Sequence, residues 1–187
     1  MRATDILMSE HRVIERVIDS MIIAVQRLES GAQVRPDFFL EAADFIKGFA
    51  DGCHHRKEEG VLFKAMSESG MPVQGGPIGV MLHEHQLGRS YTQAMRQAAQ
   101  RLAEGDDTAR PAVIAAARAY AELLRQHIAK EDGVLFPMAE QFIPSHQHEQ
   151  LIHDFEHVEH EETGEGVHER FLALAEHLER EAKTLPR

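Results

Sequence analysis

Cysteine is almost missing from this chain. One thiol, Cys53, in 187 residues leaves no partner for an intramolecular disulfide. No run of about 18 apolar residues occurs, so a transmembrane helix is not expected. The opening stretch, MRATDILMSEH, lacks the apolar centre of a signal peptide, and the expected location is the cytoplasm. Positive charge is short: the net charge is −11 with histidine neutral, which argues against nucleic acid or an anionic membrane as partner. No Ser-His-Asp arrangement, phosphate loop or nucleotide fingerprint is present. No segment shows strand alternation between hairpin turns. Apolar content of 43% and charged content of 27% are ordinary, and the length fits one domain with a real core. The thirteen histidines stand out, because they are clustered.

What remains is helical. Residues 4–29 place apolar side chains at steps of three and four, as an amphipathic helix does, and Gly31 is a natural stop. Pro36 opens a second helix to about Glu68, because a missing N–H costs little in a first turn. Residues 69–79, SGMPVQGGPIG, read as a loop. A third helix is expected from about Gly79 to Glu104. A fourth, capped by Asp107 or Thr108, runs through AVIAAARAYAELLRQHIAKEDGVLF, with Pro137 bending or loosening its last turn. Pro144 and Ser145, the latter a candidate N-cap, restart the chain into a helical region reaching about Lys183. Gly164 and Gly166 interrupt that region, so it can form two helices. The expected fold is all-α: an up-down-up-down four-helix bundle over residues 1–143, with a His/Glu-rich helical extension over residues 144–187 packed on it.

One phrase occurs twice. HHRKEEGVLF begins at His54 and HIAKEDGVLF at His127. Aligned without a gap, His54 falls on His127, Lys57 on Lys130, Glu58 on Glu131, and Gly60-Val61-Leu62-Phe63 on Gly133-Val134-Leu135-Phe136. A His and a Glu four apart share one helix face, and imidazole with carboxylate suits iron, manganese or zinc. The repeat makes helices 1–2 and 3–4 two copies of one hairpin, so each first helix should carry one matching His. Helix 1 offers His11 in Glu10-His11, and helix 3 offers His85 in Glu84-His85; His83 points about 160° away from His85. The expected metal ligands are His11, His54, Glu58, His85, His127 and Glu131. They match two metals, each with two terminal imidazoles, bridged by the two carboxylates. His55 and Glu59 are also four apart. The repeat favours His54 and Glu58, leaving His55, about 100° round the helix, as a neighbour or an additional ligand. Glu59 and Asp132 sit where they can receive a histidine N–H. A lone His-x3-Glu pair is usually a solvated helix-face contact. The duplication in identical context, each copy after a helix bearing Glu-His, favours metal, since burying these groups bare would cost several kcal/mol.

Taken together, Glu10-His11, His54-His55-x-x-Glu58-Glu59 with Leu62-Phe63, Glu84-His85, and His127-x3-Glu131 with Leu135-Phe136-Pro137 resemble the hemerythrin-like, HHE cation-binding family. The motifs span residues 10–137. The resemblance implies a four-helix bundle around two non-heme iron ions, oxo- or hydroxo-bridged, with zinc or manganese able to substitute. It implies a small diatomic ligand (O2 or NO) or peroxide as partner. The output would be sensing, storage or stress defence, or alternatively catalase/peroxidase-like or nitrosative-damage-repair activity. Oxygen-carrying members have a second His one turn before the helix-3 ligand. Met81 stands there here, which leaves six expected ligands in place of seven, with His55 or a C-terminal His available to fill the gap.

Other features have plainer readings beside functional ones. His153, His157 and His160 form an i, i+4, i+7 stripe. It is a second metal site, a helix that closes over the first or, preferred, a solvated helix face packed through Leu151, Ile152, Phe155 and Val158. Cys53 is a soft metal ligand or redox thiol or, preferred, a small buried hydrophobe. Tyr120, two turns before His127, is a hydrogen-bond donor to a bound ligand or a core residue. Met81 is a core filler or faces the metals.

Overall fold

The computed structural model describes residues 2–185, less the side chain of Glu162; Met1, Pro186 and Arg187, inside the expected domain limits, lie outside the described residues. Six long helical elements, and no strand among the described residues, make up the chain. Helix α1 is Ala3–Glu29. Helix α2 covers residues 36–68, α3 is Pro77–Ala103, α4 covers residues 110–142, α5 residues 148–163, and α6 is Val167–Thr184.

Local chemistry sets the ends. Asp5 accepts a hydrogen bond from the Arg2 backbone N–H at 2.8 Å and closes the start of α1. Gly31, at φ +85°, supplies the left-handed turn after it. Pro77 occupies the first position of α3, two residues earlier than the loop reading placed it, because proline fits a first turn. The chain before α4 is capped by Asp106, not Asp107 or Thr108: its side chain accepts from the Thr108 N–H at 3.1 Å and starts the single 3₁₀ turn Asp107–Ala109. Ser145 gives no side-chain cap; it opens a 3₁₀ turn, Ser145–Gln147, ahead of α5.

Three helices are not α throughout: α5 passes into π-helix at Val158–Thr163, and α2 and α4 do so at the repeated phrase. In α2, an α-helical Pro36–Phe45 passes into π-helix at Ile46–His54, one α turn at His55–Lys57, π again at Glu58–Leu62, then α at Phe63–Glu68. In α4, Arg110–Lys130 is α, Glu131–Leu135 is π, and Phe136–Phe142 is α. The two copies of the repeated phrase thus share a π turn that starts at the Glu of each His-x3-Glu pair. Pro137 is not its cause, since Lys64 holds that place in the first copy and the π turn forms there too. Such wide turns are frequent at functional sites.

Helix α3 packs along α4 and α2, and α1 packs along α4. Helix α6 lies against α1 and α2, and α5 against α1 and the Glu58–Leu62 turn. Two apolar clusters result. The larger joins Ile14, Ile18, Phe45, Phe49, Tyr120 and Leu124 with Phe171 and Leu178 of α6. The smaller joins Leu7, Phe63, Met81 and Phe136 with Leu151 and Phe155 of α5. The C-terminal helices are therefore built into the same packing as α1 to α4. Along each of α1 to α4, the residues between the two clusters are the histidines and carboxylates of the repeat.

Candidate metal centre

In this polar layer the structure brings together all seven residues singled out: His11 on α1, His54, His55 and Glu58 on α2, His85 on α3, and His127 and Glu131 on α4. Each is at most 3% exposed. Their ligand atoms fall in two groups, each within 4.8 Å: His11, His54, Glu58 and Glu131; and His55, Glu58, His85 and His127. Glu58 spans both, with Oε1 3.4 Å from His54 Nε2 and Oε2 3.5 Å from His85 Nε2. Glu131 does the same: Oε2 is 3.2 Å from both His11 Nε2 and His127 Nε2, and Oε1 is 4.0 Å from His85 Nε2. His55 stacks on His85 with ring centroids 3.8 Å apart. The sequence spacing left His55 about 100° from His54, but π winding puts more residues in each turn and so fewer degrees between neighbours. His54 and His55 can then both face inward, one to each group.

The five imidazoles are oriented alike. Each Nδ1 faces a carboxylate outside the centre: His11 to Asp132 at 2.7 Å, His54 to Glu10 at 2.8 Å, His55 to Asp51 at 2.9 Å, His85 to Glu59 at 2.8 Å, and His127 to Glu84 at 2.9 Å. A carboxylate there accepts a hydrogen bond from Nδ1–H and leaves Nε2 as a lone-pair donor, the arrangement found behind metal-bound histidine. Four cations hold those carboxylates in turn. Lys57 reaches Glu10 at 2.5 Å and Arg89 reaches Glu59 at 2.6 Å. Arg12 pairs with Asp132, and Lys130 with Glu84. Sequence reasoning anticipated Glu59 and Asp132. It missed Glu10, Glu84 and Asp51 in this role, although the twice-occurring Glu-His dipeptide carried the signal for the first two.

Six of the inner atoms are unsatisfied, whereas Nε2 of His85 and of His127 lie 3.0 Å from each other. Both oxygens of Glu58 and of Glu131, and Nε2 of His11 and His54, have no hydrogen-bond partner among the described residues. Buried carboxylate oxygens in that condition are costly, and a cation between them removes the cost. The charge balance agrees: seven carboxylates face four cations in the groups just named, which leaves three negative charges. Protons respond to the same field. Burial disfavours a charged His54, yet the Glu58 and Glu10 carboxylates outweigh it and pull the imidazole up to about 10. His11 and His127 are raised despite burial, by Asp132 and Glu131 and by Glu131 and Glu58 respectively. His55 is pushed well below its ordinary value by burial and by the imidazoles of His85, His54 and His127. Against burial, His11 and His127 hold Glu131 well below the usual carboxylate range. The residues present therefore fit a pair of cations.

Among the residues that face inward the copies differ at one position. His55 aligns with Ile128, and Asp51 with Leu124. One group has three imidazoles and the other two.

The remaining candidates fall outside the centre. His153, His157 and His160 are exposed on α5, while Leu151, Phe155 and Val158 are buried beneath them. Met81 packs in the smaller apolar cluster. Tyr120 is buried in the larger one, its hydroxyl without a partner among the described residues. Cys53 is buried, and burial pushes its thiol up to about 11.

The chain is 28% identical over 163 residues to an uncharacterized protein of Mycobacterium bovis and to two of Mycobacterium tuberculosis. The match covers 87% of this chain and 63% of each relative, so the chain spans under two thirds of their length. No solved structure matches significantly. No helix among the described residues is long and apolar enough to cross a membrane. Residues 2–139 match the hemerythrin HHE cation-binding domain. With that match over most of its length and the two His/Glu groups in place, the chain belongs to the hemerythrin HHE cation-binding family.

Proposed function

We propose that the chain is a non-heme di-iron protein that binds a small ligand, O2, NO or peroxide, in an up-down-up-down bundle of α1 to α4 (residues 1–143), with residues 144–187 as an extension. The observation that carries this reading is the set of five inward Nε2 atoms around two buried carboxylates that lack any other partner. His11 and His54 would hold one metal, His55, His85 and His127 the other, and Glu58 and Glu131 would bridge them. When bound, two irons supply a redox pair able to bind a diatomic molecule or peroxide. The chain's own residues do the rest. Asp132, Glu10, Asp51, Glu59 and Glu84 keep each Nδ1 protonated and each Nε2 aimed inward. With both carboxylates bridging, the position with two imidazoles would have one protein donor fewer than the other, and so room for an exogenous ligand. Phe136, stacked at 5.4 Å on His11, and Phe63, at 6.0 Å from His85, exclude water from one side.

Metal analysis with an optical spectrum of freshly purified protein tests this, before and after peroxide. Two irons per chain with near-ultraviolet charge-transfer bands are expected. Rapid loss of peroxide would select the alternative, a catalase- or peroxidase-like enzyme; a lasting spectral change without turnover would select binding. Zinc alone, or no metal, would sink the reading.

A further inference from the structure

Lys57 is fully buried, which a lysine almost never is. Its ammonium lies between Glu10 of α1 at 2.5 Å and Glu159 of α5 at 2.7 Å. Glu10 in turn holds His54 Nδ1 at 2.8 Å. An unbroken polar chain thus runs from α5 to the centre: Glu159, Lys57, Glu10, His54. Around it stand Cys53 and His168, with His168 Nδ1 4.0 Å from the Cys53 thiol and 3.6 Å from Glu159. Glu10, Cys53, Glu159 and His168 have metal-type donor atoms within 4.8 Å of one another. The Lys57 ammonium already bonds both of those carboxylates, so the positive charge a metal would bring there is supplied by the lysine.

The counterpart of Lys57 in the repeat is Lys130, which pairs with Glu84 behind His127. The same relay therefore occurs twice, but unequally. The Lys130 side chain is 41% exposed and has one carboxylate, whereas Lys57 is sealed and has two. The second carboxylate comes from the C-terminal helices.

From this we infer that Lys57 is a positioning residue for the metal position formed by His11 and His54, and that Glu159 makes that position depend on docking of α5. The inference rests on the dinuclear reading above. The ammonium fixes the Glu10 carboxylate on His54 and neutralises it. Loss of a group behind a metal-bound histidine weakens the metal roughly 10- to 100-fold, and here the loss falls on one position of two.

The test uses the full-length, iron-loaded chain and three variants: Lys57→Met, Glu159→Gln and Lys130→Met. Stepwise removal of iron by a chelator is followed together with the Mössbauer spectrum, in which the two unequal positions give separate doublets. Lys57→Met is expected to speed release of one iron about tenfold or more and to shift one doublet, with the other iron unchanged. Glu159→Gln should act on the same iron more weakly, and Lys130→Met on the other iron. Should Lys57→Met fail to fold, Glu159→Gln, at a partly exposed residue, carries the test with the same expectation. Equal weakening of both irons would mark Lys57 as a structural residue and overturn the inference. Unchanged release would do so too. A wild-type chain that cannot hold two metals overturns the dinuclear reading and this inference with it, whereas a wild type that holds two and is insensitive to these variants overturns this inference alone.

Discussion

His55 is the residue on which the centre turns. It supplies the third imidazole of one group, its Nδ1 is tied to Asp51, and its ring lies on His85. His55→Ala is expected to lower the affinity of that position by about 10-fold or more while the His11/His54 position keeps its metal, as read by metal content after dialysis against a weak chelator. Loss of both metals in equal measure would show that the two positions are not separable. Six of the seven inward residues were legible from the duplicated phrase and the duplicated Glu-His. His55 was only half legible, because its direction depends on backbone winding that side-chain spacing does not report. The carboxylates behind the imidazoles were less legible still. Glu10 serves His54 and Glu84 serves His127, each across a helix boundary, and such pairings exist only once helices are placed side by side.

At the level of the helix, the expected elements formed close to where capping and proline chemistry put them. The π turns at Glu58–Leu62 and Glu131–Leu135 did not show in the sequence, since no residue type demands them. Gly60 and Gly133 occur in both, yet a Cβ on either would meet nothing within 4 Å. Gly60→Ala and Gly133→Ala are therefore expected to stabilise the chain by about 0.5–1 kcal/mol each, through a less flexible unfolded state, without loss of metal. A fall in melting temperature would show that the wide turn needs glycine. Gly48 is the contrast. A Cβ there would lie 1.9 Å from the Phe171 ring of α6, which packs edge-on against Phe45. Gly48→Ala should cost about 1–3 kcal/mol by displacing that ring. Limited proteolysis should then cut first near Gly164 and Gly166, the positive-φ link between α5 and α6.

For the molecule as a whole, the polar layer between two apolar clusters would make stability depend on the cations proposed for it. Stripping metal leaves Glu58 and Glu131 without partners, and the melting transition should drop by an amount equivalent to roughly 3–5 kcal/mol, the cost of breaking a buried charge pair. Protons compensate in part, and the sign follows from His54. Its value in the folded chain, about 10, lies above the ordinary 6.5. Its proton therefore stabilises the chelated fold fully below pH 6.5, and that contribution is lost as pH rises toward 10. Chelated protein should melt lower at pH 10 than at pH 6.5, while loaded protein should not follow that trend. Metal must also expel the proton, so uptake at pH 7 should release protons, seen as a buffer-dependent binding heat in calorimetry. A binding heat independent of the buffer would contradict the raised His54.

A hairpin used twice has no front or back: its two halves would treat an electron or an incoming molecule identically. At the inward-facing positions, one unmatched pair, His55 against Ile128, takes that equivalence away. In the function proposed above, the centre would thereby acquire a sense of direction, with a saturated end and a receptive end. A single exchange at Ile128, itself buried, is the shortest route back to indifference.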